Sequence, residues 1–236
     1  MLKNISVAMA VYNGGKYLSN QIDSILVQFE EDDELVISYD ESTDNTYDIV
    51  CDYAKRDDRI QIIKNDQPGV VGNFNSAISF CSKDAIFISD QDDIWVAGKR
   101  GKMLEALNSS GADLAIHNVV HIDSEDNVIS KPLFQEYGIR KGLIRNFIAP
   151  RYSGCCMAFP AQVRSMLLPM PKTVVNYDHW IGMTCELFGR VVFVDDVLLM
   201  HRLHGGNVTT SRRPLPTIAR QRLNLLKELA KRRRVL

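Results

Sequence analysis

Three carboxylates crowd into four residues at Asp90-Gln91-Asp92-Asp93, directly after the apolar run Ala85-Ile-Phe-Ile-Ser89. Like charges so close repel one another unless a cation sits among them. Asp90, Asp92 and Asp93 therefore read as a candidate divalent site, and hard oxygen ligands suit Mg²⁺ or Mn²⁺, whose shells are completed by water and phosphate oxygens. The bland alternative is a solvated, turn-forming acidic loop, since Asp is a common turn residue. A phosphatase with an aspartate nucleophile after its first strand is disfavoured, because this cluster follows the fourth. Two further loops have chemical potential: Tyr12-Asn13 supplies an aromatic face and an amide, and Asp40 with Asp44 supplies two more carboxylates.

These loops follow apolar runs that alternate with helical patterns. Ile5–Val11, Leu35–Ser38, Ile60–Ile63 and Ala85–Ser89 read as buried strands. Between them, Leu18, Ile22, Ile25, Leu26 and Phe29 mark one helix face, and Tyr47, Val50, Cys51 and Ala54 another with Ser42 or Thr43 as N-cap candidates. Phe74, Ala77, Ile78 and Cys81 mark a third. Strand and helix alternating four times predict an α/β fold, a mostly parallel sheet with helices on both faces, and ligands bind beyond the carboxyl ends of such strands. The second half breaks the rhythm. Leu114–Ile116 and Val119–Ile122 precede an Asp126-Asn127 turn and suggest an antiparallel or mixed pair; a helix is expected over Tyr177–Phe188, with strands at Val191–Val194 and Val197–Leu203.

Four ordered strings resemble the successive signatures of family 2 glycosyltransferases: Ser6-Val-Ala-Met-Ala-Val-Tyr-Asn13, Ser38-Tyr-Asp-Glu-Ser-Thr-Asp-Asn-Thr46, Gly72-Asn-Phe-Asn-Ser-Ala77 and Ser89-Asp-Gln-Asp-Asp-Ile-Trp95. The last is similar to the bacterial rhamnosyltransferase-like branch of surface polysaccharide assembly. The likeness continues through Tyr177-Asp-His-Trp180 and His201-Arg-Leu-His-Gly-Gly-Asn-Val208, covering about residues 4 to 210. It implies a GT-A nucleotide-sugar fold over 1–210; the remaining residues, 211–236, read by themselves as a basic amphipathic tail.

The resemblance also implies roles. Asp40 would accept the N3–H of a pyrimidine base, uracil or thymine, with Tyr12 packed on it and Ala10 and Asn13 lining the pocket; Tyr39 would add bulk there. Asp90 would serve the ribose and the water shell of a metal, Mn²⁺ or Mg²⁺, that Asp92 coordinates, and His204 would approach that metal, with His201 a nearby competitor. Arg202 would meet the diphosphate, or else be an exposed arginine at a strand end. Gly154, with Cys155 and Cys156, resembles the segment lining the donor sugar, although the cysteines also suit a core. Asp178 is the implied general base, against the alternative of a carboxylate in the first turn of a helix. Trp95 and Trp180 suit either sugar stacking or the core. The implied reaction is inverting transfer of a sugar from a UDP or dTDP donor (dTDP-rhamnose or a UDP-hexose) to a hydroxyl of a polyprenyl-diphosphate-linked glycan. A nucleotidyltransferase and a noncatalytic membrane-docked partner of a polysaccharide complex are the rival readings.

Composition sets the context. The 236 residues carry 45% hydrophobic and 24% charged residues with a net charge of −1, which excludes fibrous and wholly disordered chains and gives no reason to expect nucleic acid as partner. Charge is nevertheless uneven. From Ser211 onward nine basic residues face only Glu228, leaving 19 basic against 28 acidic in the body. Leucines at 223, 225, 226 and 229 among those basic residues predict a helix attracted to an anionic membrane surface, with packing on the acidic body, a protein partner and RNA as alternatives. Five cysteines without a CxxC pair suit a reducing cytoplasm, and no apolar stretch of about 18 residues predicts a span. The expected location is the cytoplasmic face of a membrane.

Overall fold

The computed structural model describes residues 1–205 and 214–234. Gly206, Asn207 and Val208 of the late motif, the 210/211 boundary, Arg212 and Arg213 lie outside the described residues. One eight-stranded sheet runs through the molecule in the order β3-β2-β1-β4-β7-β6-β8-β5. Its strands are β1 (Ile5–Val11), β2 (Glu34–Tyr39), β3 (Ile60–Lys64), β4 (Ala85–Ser89), β5 (Ile94–Trp95), β6 (Leu114–Ile122), β7 (Met157–Pro160) and β8 (Val191–Arg202). The first four pair in parallel, as their spacing predicts.

Burial explains the order. In β1 six of seven residues are buried, the mark of a strand covered on both faces, and it lies between β2 and β4. In β3, Gln61 and Lys64 are exposed and Ile60 and Ile63 buried, as befits an edge strand. Helices α1 (Leu18–Leu26), α2 (Thr46–Arg56) and α3 (Val70–Phe80) connect these strands, with Leu18, Ile22 and Ile25 forming the buried face of α1. The N-cap of α2 is Asn45, not Ser42 or Thr43. Those two residues instead engage the loop after β1: Asn13 N–H donates to Ser42 Oγ at 3.0 Å, and Thr43 N–H donates to Asn13 Oδ1 at 2.8 Å. Helix α4 (Lys99–Ser110) then ends on Gly111 at φ 62, a left-handed position that suits glycine.

The mixed half departs from the expected segmentation. The two short strands at 114–116 and 119–122 are one nine-residue β6, and the pair expected over 191–203 is one β8, Val191–Arg202, running parallel to it. The antiparallel element expected around Asp126-Asn127 is a single bridge, Ile122 to Val128. Register shifts at His117 to Val119, opposite the exposed Asp195-Asp196, produced the apparent break. Asn118 is buried there and satisfies the irregular backbone: its Oδ1 accepts from Val119 N–H and Phe134 N–H, both at 3.0 Å. Short helices α5 (Leu133–Tyr137), α6 (Leu143–Ile148) and α7 (Arg164–Leu167) follow.

Helix α8 (Tyr177–Phe188) has the expected bounds and is buried over most of its length. The last helix, α9 (Leu215–Arg232), packs on the body through Leu225 and Leu229. Arg232 fastens its end, donating to the Leu168 and Pro169 carbonyls at 2.7 and 2.6 Å and lying 5.4 Å from the Trp180 ring centroid. Among the described residues no helix is long and apolar enough to cross a membrane.

Candidate active site

Parallel pairing of β1, β2 and β4 brings the loops holding Tyr12, Asp40 and Asp90 to one end of the sheet. Gln91 welds two of them. Its Oε1 accepts from Tyr12 N–H at 2.8 Å and its Nε2 donates to Tyr12 O at 2.9 Å, so the side-chain amide acts as a short extra rung. Nothing in the acidic string distinguishes Gln91 beforehand; only the neighbouring strand end reveals its role. Tyr12 is left about half exposed, and Asn13 takes φ 48 to bridge to the Ser42-Thr43 turn. Ala10, one residue inside β1, pairs with Ser38 and is partly exposed.

Asp40 is anchored without being enclosed. Asn65 Nδ2 donates to its Oδ1 at 2.6 Å and Gly69 N–H to its Oδ2 at 3.3 Å. A carboxylate has about four lone-pair directions, so further acceptor capacity remains. Tyr39 is buried against Tyr47, centroids 5.1 Å apart, and its hydroxyl accepts from Ser42 N–H at 3.0 Å. Its described contacts support the loop after β2.

The carboxylates separate into distinct pairings. Asp90 accepts from the Tyr177 hydroxyl at 3.1 Å; burial, then the charges of Asp93 and Asp92, raise it to about 7. Asp92 Oδ2 accepts from His204 Nε2 at 2.8 Å, and burial with the Asp93 charge raises this carboxyl too. Asp93 is fully buried: His201 Nδ1 and the Arg202 N–H meet its Oδ1 at 2.8 and 3.1 Å. Burial opposes its ionisation, yet the His201 charge holds it below the usual carboxylate range. The converse holds for His201: burial lowers it, but the charge and hydrogen bond of Asp93, with the charges of Asp90 and Cys156, together raise it to about 10. The two histidines therefore have different partners, His204 meeting Asp92 and His201 meeting Asp93. Tyr17 supports the first pair, its ring centroid 5.1 Å from that of His204.

Arg202, Gly154, Trp95 and Trp180 are all buried. The Nε of Arg202 donates to Asp92 O at 3.0 Å, its Nη1 to Asp123 O at 3.1 Å and to Asp126, and its guanidinium lies 4.4 Å from the Tyr17 ring centroid. These contacts tie the acidic loop to the end of β8, and none of them is the exposed arginine or the open diphosphate contact expected. Gly154 lies beneath Tyr177, where a Cβ would come within 2.2 Å of the ring and hydroxyl. Gly154→Ala is therefore expected to cost about 1–3 kcal/mol by overpacking; thermal melting should show a clear drop in Tm, and an unchanged Tm would contradict the close packing.

Asp178 begins α8 beside Tyr177, so the hydroxyl that holds Asp90 brings the helix start to the acidic loop. Its Oδ1 accepts from His179 N–H at 2.6 Å. Lys99, which no sequence motif had marked, is fully buried with Nζ donating to Cys155 O at 2.8 Å; burial lowers it to about 8 against the opposing pull of Cys156, Cys155, Asp93 and Asp90.

The joined loops and the carboxylate cluster lie at the C-terminal ends of parallel strands, where open α/β sheets bind their ligands. The model for glycosyl transferase family 2 matches residues 6–167, and the chain belongs to that family. A Nostoc sp. protein described as an uncharacterized glycosyltransferase is 27% identical over 213 residues, 86% of this chain and 66% of that protein. An Escherichia coli protein named UDP-Glc:alpha-D-GlcNAc-diphosphoundecaprenol beta-1,3-glucosyltransferase is 35% identical over 96 residues, 40% of this chain and 37% of the relative. Among solved structures, S. aureus TarS 1–349 in complex with UDP-GlcNAc superposes with a TM-score of 0.76 at 16% identity, covering 98% of this chain and 66% of that one. The chain thus spans about two thirds of the Nostoc protein and of the TarS structure.

Enzymes of this fold commonly use a divalent metal, and the residues here suit one. Asp90 and Asp92 are crowded with Asp93 in one loop, and burial with the neighbouring charges raises both carboxyls. A cation relieves that repulsion.

Proposed function

We propose that the chain is an inverting, metal-dependent glycosyltransferase moving a sugar from a UDP or dTDP donor to a hydroxyl of a polyprenyl-diphosphate-linked bacterial surface glycan. The carrying observation is convergence: through Gln91 the acidic loop reaches Tyr12, and through Asp90 it reaches Tyr177, beside Asp178. Tyr12, with Ala10 and Asn13, cradles the base while Asp40 accepts its N3–H; both uracil and thymine present that edge. Asp92, with Asp90 and His204, would hold Mn²⁺ or Mg²⁺, which would supply positive charge to neutralise the departing diphosphate. Asp178 takes the acceptor hydroxyl's proton as that oxygen bonds to the anomeric carbon and the bond from that carbon to the diphosphate breaks, all in one displacement.

The E. coli relative's name supports a hexose donor and a lipid diphosphate acceptor, whereas the acidic string retains its similarity to the rhamnosyl branch. A panel of UDP-, dTDP- and GDP-sugars assayed for nucleoside diphosphate release, with Mn²⁺, Mg²⁺ or chelator, tests the reading. Metal-dependent turnover of one pyrimidine donor is expected. Turnover insensitive to chelator, or a GDP-sugar preference, would overturn it.

The catalytic unit is 1–210, and 211–236 attaches it peripherally to the cytoplasmic face of the membrane. On α9 the apolar residues divide into two stripes. Leu225 and Leu229 are docked, whereas Leu223 and Leu226 are 52% and 48% exposed. At about 100° per residue, Arg220 and Lys227 lie beside the exposed pair. Shallow leucine insertion beneath basic side chains suits an anionic bilayer. Leu223→Asp with Leu226→Asp is expected to abolish co-sedimentation with phosphatidylglycerol vesicles while leaving the far-ultraviolet circular dichroism unchanged. Undiminished sedimentation would contradict this attachment.

A further inference from the structure

Asp90, Asp93, Cys155 and His201 each offer one ligand atom, and the four atoms lie within 4.8 Å of one another. This set differs from the Asp92–His204 pair. It contains a sulfur, and its members come from three separate segments: the loop after β4, the short turn at Gly154–Cys156 before β7, and the end of β8. Three of the four are held from outside the set. Tyr177 fixes Asp90 at 3.1 Å, Arg202 N–H fixes Asp93 at 3.1 Å, and Lys99 Nζ holds the carbonyl of Cys155 at 2.8 Å.

Two observations point to a ligand. Asp93 is fully buried, and its Oδ2 meets no hydrogen-bond donor among the described residues. Second, Cys155 is only 2% exposed, yet its sulfur faces polar groups: its nearest ring nitrogen, His201 Nδ1, is 4.0 Å away. A thiol, an imidazole and two carboxylates are a poor set for Mg²⁺, which demands near-octahedral oxygen coordination. They are the ligand types of tetrahedral Zn²⁺ and of related thiophilic cations.

We propose that Asp90, Asp93, Cys155 and His201 form a binding site for a thiophilic divalent cation of the Zn²⁺ class, adjacent to and distinct from the Asp92–His204 centre. On binding, Cys155 and His201 each release one proton to solvent, and His201 presents the freed ring nitrogen in place of its bond to Asp93. Asp90 is common to this tetrad and to the diphosphate-binding arrangement proposed above. Occupancy by Zn²⁺ therefore withdraws Asp90 from donor binding and lowers turnover; this second consequence rests on the glycosyltransferase reading, whereas cation binding does not.

The test uses the full chain and Co²⁺ as a spectroscopic stand-in for Zn²⁺. Titration is expected to give a near-ultraviolet thiolate-to-cobalt charge-transfer band that saturates at one equivalent and is bleached by Zn²⁺ but not by excess Mg²⁺. Cys155→Ser should remove the band and weaken Zn²⁺ by more than the roughly 10–100-fold that loss of an outer-shell partner costs. Cys156→Ser and Asp92→Asn should retain the band. Circular dichroism of Cys155→Ser, with Cys155→Ala as the second variant, separates a lost ligand from a lost fold. Absence of the band in the wild-type chain, or its survival in Cys155→Ser, would overturn the proposal. Charge transfer without any donor turnover would instead remove the glycosyltransferase reading and leave the cation site standing.

Discussion

Asp178→Asn is expected to lower kcat by about 10²–10⁴-fold, the usual contribution of a positioned general base, while leaving donor affinity unchanged. The amide keeps an oxygen able to accept from His179 N–H, which Asp178 Oδ1 now meets at 2.6 Å, so the start of α8 should retain its form. What the amide lacks is the capacity to take the acceptor proton at neutral pH. A carboxylate at a helix start also stabilises the helix by about 0.3–1 kcal/mol, which predicts only a small fall in Tm. The two roles separate in one pair of measurements. A large loss of kcat with a small Tm shift supports the base, whereas full kcat with the same Tm shift reduces Asp178 to a helix-start carboxylate.

Asp92→Ala is expected to reduce metal-stimulated turnover by about 10²–10³-fold, from the several kcal/mol that a cation contributes at a departing diphosphate. It also removes the 2.8 Å partner of His204 Nε2, loosening the segment after β8. Asp92 is only partly buried, so stability should change little. Cation affinity measured by Mn²⁺ titration should fall in parallel with turnover. Wild-type Mn²⁺ affinity and turnover in Asp92→Ala would overturn the assignment of the cation to Asp92.

Legibility in the sequence followed the physics of each region. The parallel half was readable because buried strands appear as continuous apolar runs, and Ile5–Val11 and Ala85–Ser89 fall on β1 and β4 residue for residue. In β6 and β8 the same rule failed. Polar Asn118 and Asp195-Asp196 interrupt the runs, yet Asn118 satisfies the irregular backbone and allows each strand to continue. Strand β7 was hidden in four residues, Met157–Pro160, too short to show a period.

At the site, side-chain type was legible and partnership was not. The crowding of Asp90, Asp92 and Asp93 announces a charged centre, but His201 and His204 are equivalent histidines until the end of β8 turns one toward Asp93 and the loop brings the other to Asp92. Arg202 and Gln91 carry no local signature of the clamps they form, since their partners lie 110 and 79 residues away. The double-striped surface of α9 was also ambiguous: leucines at 223, 225, 226 and 229 look like one broad face until Leu225 and Leu229 are seen docked.

The most direct measurement of the central claim is calorimetric binding of UDP and dTDP to the full chain, with Mn²⁺ and with chelator. The account predicts that at least one pyrimidine diphosphate binds in the presence of the cation, that chelator weakens it strongly, and that Asp40→Ala weakens it without altering Mn²⁺ affinity. Failure of both nucleotides to bind in the presence of Mn²⁺, with the chain folded, would contradict it and favour a noncatalytic partner role.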